Sequence, residues 1–111
     1  EHRHDNFGKA SLYSWNLTSA DPNGEPVVVP AKSEVTVHIY GTWGTATAGV
    51  EGSLVEDPRV SQFVLLGDQD GVTIAMTADG IETVLQNVYR IRPVLSTPGS
   101  GADVTAYMLF V

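Results

Sequence analysis

Along most of the chain, apolar and polar residues alternate with period two, and the alternation breaks repeatedly at Gly, Pro, Asn or Asp. Successive side chains of a strand point to opposite faces, so this rhythm predicts half-buried strands separated by turns. Residues 34–41 carry it most cleanly: Val35, Val37 and Ile39 share one face, and Thr36, His38 and Tyr40 share the other. Residues 10–17 set Tyr13, Trp15 and Leu17 inward against Leu12, Ser14 and Asn16. Residues 46–55 form a further strand, weakened by Gly49 and Gly52, which predict a bulge or a close backbone approach. Residues 60–66 and 72–77 read as strands on either side of a tight loop at 67–71 (GDQDG), and residues 81–85 lead toward the last pair. That pair lies in residues 89–111, YRIRPVLSTPGSGADVTAYMLFV. Two alternating runs, 88–95 and 104–111, flank a loop of Ser, Thr, Pro and Gly, which predicts an antiparallel hairpin.

Turn chemistry supplies the punctuation. TSADPNGE (18–25), GTWG (41–44), EDP (56–58) and ADG (78–80) each suit a reversal. PVVVP (26–30) brackets a valine triplet with prolines, which cannot donate to a ladder, so it is expected as an edge strand or an extended tether. Residues 1–9 (EHRHDNFGK) are polar and aperiodic and read as an arm packed on a neighbouring molecule. No stretch has helical periodicity. Eight or nine short strands with turns between them predict an all-β fold: one antiparallel β-sandwich of jelly-roll or Greek-key type over residues 10–111, preceded by the arm.

Composition sharpens this picture. At 111 residues, one domain with one core is expected, and 15 Val with 10 Thr favour pleated strands. The absence of cysteine rules out disulfides and thiolate metal sites and fits the cytosol or a partner-stabilised assembly. No apolar run of membrane-spanning length occurs, so no membrane partner is expected. No signal-peptide pattern is present; the chain opens on Glu1 rather than Met, so an upstream segment is expected, either removed or lying outside this sequence. A net charge of −7 opposes nucleic-acid binding, which draws on Lys and Arg to displace counterions.

Candidate chemistry is sparse. His2 and His4 could share a metal, but only His38 remains to complete a ligand set. Asp68–Gln69–Asp70–Gly71 superficially resembles a calcium loop, yet aligning its glycine puts Leu66 at the first ligand position, so a polar turn is expected. Asp57, Asp79 and Glu82 have no spacing that would fix a carboxylate pair. No nucleophile elbow, HExxH or phosphate loop occurs, so neither enzyme activity nor a cofactor is expected. Arg90 and Arg92 share a strand face and could fork onto a partner's carboxylates, or pair within the sheet with Glu51 or Asp103. Trp43, in a glycine-flanked turn, with Trp15, Tyr40 and Tyr107, could form a sugar-stacking platform or a core or interface cluster.

Three stretches together resemble a known class of proteins: GTWGTATAGVEGSL (41–54), GDQDGVTIAMTADGIETV (67–84) and YRIRPVLSTPGSGADVTAYML (89–109). Their order is similar to that in the capsid decoration, or cement, proteins of tailed bacteriophages. The resemblance covers roughly the C-terminal two thirds and leaves residues 1–33 unmatched. It implies a non-enzymatic virion protein, made in the bacterial host cytoplasm and bound as a trimer to the outer surface of the major capsid protein. The contacts expected from it are Arg3, His4, Phe7 and Lys9 of the arm, Val27, Val28 and Val29, Trp43, and Arg90 with Arg92. The alternatives are a glycan- or receptor-binding module of a phage tail or fibre, and a head–tail or tail structural subunit.

Overall fold

The computed structural model describes residues 2–3, 11–30, 33–55, 62–97 and 101–111, with residues 2–3 described in backbone only. Among the described residues nine strands form: β1 (His2–Arg3), β2 (Ser11–Thr18), β3 (Val27–Val28), β4 (Val35–Thr42), β5 (Thr47–Ser53), β6 (Val64–Leu65), β7 (Gly80–Val84), β8 (Arg90–Ser96) and β9 (Asp103–Phe110). One sheet has the order β1-β2-β9-β4-β7 and the other β3-β8-β5-β6; each pair of neighbouring strands is antiparallel. Among the described residues there is no α-helix. The fold is the antiparallel β-sandwich that the alternation predicts.

Strands β2–β9 have the jelly-roll order. β2 pairs with β9, β3 with β8, β4 with β7 and β5 with β6, first with last and inward to the middle. The chain is thus one long hairpin, tipped between β5 and β6, and rolled so that β4 also meets β9 and β5 also meets β8. The period-two pattern closes the core between the layers. Trp15 and Leu17, Val35, Val37 and Ile39, and Val104, Ala106, Met108 and Phe110 face Ala48, Val50, Ile91 and Leu95, all buried. The Trp15 indole Nε1 donates to the Glu25 carbonyl at 2.8 Å, so its burial leaves no polar atom unmatched.

Four expectations change. The C-terminal hairpin does not form: β8 lies in the four-stranded sheet and β9 in the other, so the two consecutive strands belong to different layers. The strand expected over 72–77 contracts to isolated bridges, Gly67 with Thr73 and Ala48 with Met76. This segment runs along the residues that follow β6 and then meets β5 at Ala48, burying Ile74 and Met76 while Val72 stays exposed. The strand expected over 60–66 is confined, among the described residues, to Val64–Leu65. The arm begins inside its own fold, because β1 adds to the β2 edge with His2 opposite Ser14 and Arg3 opposite Tyr13. The rest of the expected arm lies outside the described residues. Gly49 and Gly52 mark close approaches, as their pattern predicts: a Cβ would stand 3.1 Å from the Ile74 carbonyl oxygen at Gly49, and 2.7 Å from Val88 at Gly52.

Candidate functional site

Two surfaces stand out, one at a sheet edge and one on a sheet face. The edge is β3, the outer strand of the four-stranded sheet. Val27 stands opposite Ile91 and Val28 opposite Arg90, and the Val29 amide donates to the Tyr89 carbonyl at 2.9 Å. Antiparallel pairs alternate between bonded and non-bonded, so Val28 sits at a non-bonded pair and its N–H and C=O point away from β8. Beside this open edge runs a groove of about 670 Å³ lined mainly by Val28, Val29, Pro30, Leu54, Val88 and Tyr89. Leu54 is 76% exposed and Val28 41%.

The face is the outer side of the five-stranded sheet. Alternation and register place Leu12, Ser14, Asn16 and Thr18 of β2 there, with Thr36, His38, Tyr40 and Thr42 of β4, Ile81 and Thr83 of β7, and Asp103, Thr105, Tyr107 and Leu109 of β9. The rings of Tyr40 and Tyr107 are nearly parallel, with centroids 6.2 Å apart, and His38 lies 5.3 Å from Tyr40. The hydrogen bond with Tyr107, then partial desolvation, holds the Tyr40 phenol above the usual tyrosine value. Two acids among the described residues lie on this face: Asp103, at the end of β9, accepts from Asn16 Nδ2 at 2.7 Å, and exposed Glu34 continues the outward side of β4 opposite Val111.

Between face and core lies the Trp43 turn. The indole Nε1 donates to Asp79 Oδ1 at 2.8 Å, and the Gly41 amide donates to the same oxygen at 3.1 Å. These two donors, Trp43 first, hold the Asp79 carboxyl below its ordinary value. Trp43 is half-buried and packs against the core, so it pins the β4–β5 crossing rather than standing free as a platform. Trp15 is buried in the core. The aromatic rings most open to solvent are those of Tyr40 and, beside the β3 edge, Tyr89, while Tyr107 is half-buried.

The expected contact residues divide sharply. Val28 lies in the open edge, Val29 is partly buried against the core, and Val27 is buried. Arg92 is taken up inside the molecule: Nε and Nη2 donate to Glu51 Oε1 at 3.0 and 2.7 Å, and its guanidinium lies 4.2 Å from the Phe63 ring centre. Of the two roles open to it, Arg92 takes the intramolecular one. Arg90 lies over Tyr89 at 5.6 Å. Arg3 is placed by its backbone in β1, and His4, Phe7 and Lys9 lie outside the described residues. Leu12, Leu54, Ile81 and Leu109 were not singled out by their sequence context. The available signal was that outward positions of these strands carry apolar rather than charged residues.

The GDQDG loop is a turn closed on itself. Asp68 Oδ1 accepts from the Asp70 and Val72 amides at 2.9 and 3.1 Å. Among the described residues, no group of three or more His, Asp or Glu side chains is placed to hold a metal ion.

No protein-family model matches the sequence, and no curated protein matches it. The chain is similar in structure to part of IMPa from Pseudomonas aeruginosa, solved in complex with an O-glycopeptide, with a TM-score of 0.52 and 13% identity. That similarity covers 93% of this chain and 12% of the other, so the chain spans a small fraction of that protein. What the two share is the fold.

Proposed function

We propose that this chain is a non-catalytic structural protein that decorates a phage capsid, binding the outer surface of the major capsid protein through the β3 edge. What carries this is the open edge itself: an outward N–H and C=O at Val28 beside an apolar groove with room for a partner's side chains. Such an edge accepts an extended partner strand, with main-chain bonds supplying affinity and the groove supplying selectivity. The acidic remainder keeps particles from clumping and has no affinity for the packaged nucleic acid. The jelly roll is used in viral capsid proteins and in lectins alike, so the fold is compatible with the role without assigning it.

Sedimentation of the purified chain with empty tailed-phage capsids tests the proposal. Saturable co-sedimentation at a fixed ratio is expected. Val28→Pro deletes the outward donor and leaves the Val29–Tyr89 bond in place, so it should weaken binding at least tenfold, or about 1.4 kcal/mol. Capsids that fail to retain the wild-type chain would overturn it.

A glycan-binding module is the second reading. It is favoured by the stacked Tyr40–Tyr107 rings and by the O-glycopeptide in the similar structure. Retention on immobilised glycans that vanishes in Tyr107→Ala would replace the first reading with this one.

A further inference from the structure

The apolar groove beside β3 does not end at that edge. Ser33 and Asn87, which belong to its lining, also line a second hollow of about 410 Å³. β4 and β8 start here, and β5 and β7 end here. The two hollows therefore form one trough across an end of the sandwich, from β3 at the edge of one sheet to β7 at the edge of the other. Its halves differ in chemistry. The β3 half has apolar walls and the outward N–H and C=O of Val28. The β7 half is lined by Gln69, Gln86 and Asn87, with Thr83 and the exposed Glu34. Gln86 Oε1 accepts from the Gly67 amide at 2.8 Å, which fixes that carboxamide at the wall. Glu34 exchanges main-chain bonds with Val111 at 2.8 and 3.0 Å, and among the described residues its carboxylate has no salt-bridge partner.

From this we infer that the trough holds one extended segment of the partner protein, apolar at alternate positions over the β3 half and carrying a Lys or Arg where it reaches Glu34. The inference rests on β3 being the docking edge, as proposed above, and adds the chemistry of what docks there. Backbone selects a peptide as the occupant. The Val28 N–H and C=O together are completed by another extended main chain. Strand period two then turns every second side chain of the segment into the apolar hollow. Beyond the end of β3, the carboxamides of Gln69, Gln86 and Asn87 take over, because each can both donate to and accept from a peptide group. Charge selects the basic residue. Glu34 offers a carboxylate at the β7 half, and the net charge of −7 disfavours an acidic segment at longer range.

Fluorescence anisotropy of the 111-residue chain with labelled, end-capped synthetic peptides tests the inference. Each peptide has about ten residues, roughly 33 Å when extended, which exceeds the two shorter dimensions of the molecule, 30 and 27 Å. One peptide alternates valine and threonine and closes on serine, glycine and lysine; its twin has glutamate for lysine, and a second pair runs in the reverse order. Saturable binding of a lysine peptide is expected, about tenfold tighter than its glutamate twin at low salt. Glu34→Lys should reverse that preference. Leu54→Ser should weaken both twins about fivefold through the apolar half. Glu34 is exposed and Leu54 is 76% exposed, so both variants should fold, which circular dichroism melting checks. The inference is overturned if no peptide binds, if Leu54→Ser changes nothing, or if the lysine preference survives Glu34→Lys, which would assign it to net charge alone. Glycan retention or self-association that Leu54→Ser abolishes, with no peptide bound, gives the trough to a sugar or a second copy and overturns it likewise. Capsids that retain the chain while no peptide binds overturn this inference alone. Peptides bound with the expected preference, by a chain that capsids do not retain, overturn the capsid reading and leave the peptide trough.

Discussion

At the scale of single residues, the chain is most constrained where β4 crosses to β5. Gly41 has φ of 142°, a backbone conformation side chains rarely adopt, and a Cβ there would run into the Asp103 carbonyl oxygen. Gly41→Ala should therefore lose roughly 2–3 kcal/mol of stability in urea unfolding, with strain and clash acting together. The neighbouring Asp79 makes stability depend on acid. Its carboxylate accepts from Trp43 and Gly41, which lowers its pKa in the folded state below the ordinary 3.8. The unfolded chain thus takes up this proton first as pH falls. The contribution of the carboxylate is fully present above about pH 5 and is lost as pH drops through 3.8 and then through the lower folded value. Asp79→Asn keeps an acceptor oxygen but does not titrate, so urea midpoints measured against pH should fall less steeply below pH 4 in the variant. The glycine's role was legible only in part. GTWG announces a turn, but the sequence does not say that β9 presses against that turn from across 60 residues.

At the scale of elements, alternation identified the inward faces of β2, β4 and β9, because each packs one face on the core and leaves the other outward. It also marked β3 as an edge, because prolines flank it. It was less informative on β8, where five consecutive residues, Ile91–Leu95, are buried on both faces. The outward side of β8 is covered by its own chain: Arg92 lies under Phe63 and against Glu51, and Asn23 bridges to Val94. Two arginines on alternate positions left open a partner-facing pair or pairing within the sheet with Glu51 or Asp103, and Arg92 takes the second with Glu51. The pair has a testable energetic signature. Glu51→Ala leaves a guanidinium with 9% side-chain exposure and no carboxylate, which should cost about 3 kcal/mol in urea unfolding. Replacing both partners, as Glu51→Leu with Arg92→Met, should recover most of that loss, because no charge is then left enclosed. A double variant as unstable as the single would mean that the covering loop, and not the ion pair, holds this side of the sheet.

At the scale of the whole molecule, strand content and the two-layer class could be read from the sequence, but the pairing could not. Period two says that a strand has an inner and an outer face; it does not say which strand lies beside it. The natural default joins consecutive strands, which is why residues 89–111 read as a hairpin and instead form neighbours in opposite sheets. The rolled-hairpin order has a kinetic consequence. β5 and β6 meet across a short stretch of chain, whereas β2 and β9 meet only after nearly the whole chain has been closed, and loop closure grows costlier with length. Pairing should therefore begin near the tip and finish at the ends, with β9 inserted last between β2 and β4. Folding should be slow for this size, in milliseconds to seconds, as expected for an all-β chain with mostly non-local pairs. Two buried positions separate the stages. Val50→Ala, in β5, should lower stability mainly by slowing folding, and Leu17→Ala, in β2, mainly by speeding unfolding. The Leu17 variant should lose roughly 2–5 kcal/mol, enough for its φ-value to be well determined by stopped-flow measurements across denaturant. Equal φ-values at the two sites would mean that the sandwich closes all at once. A high value at Leu17 would mean that the ends meet first, and the order proposed from the topology would be reversed.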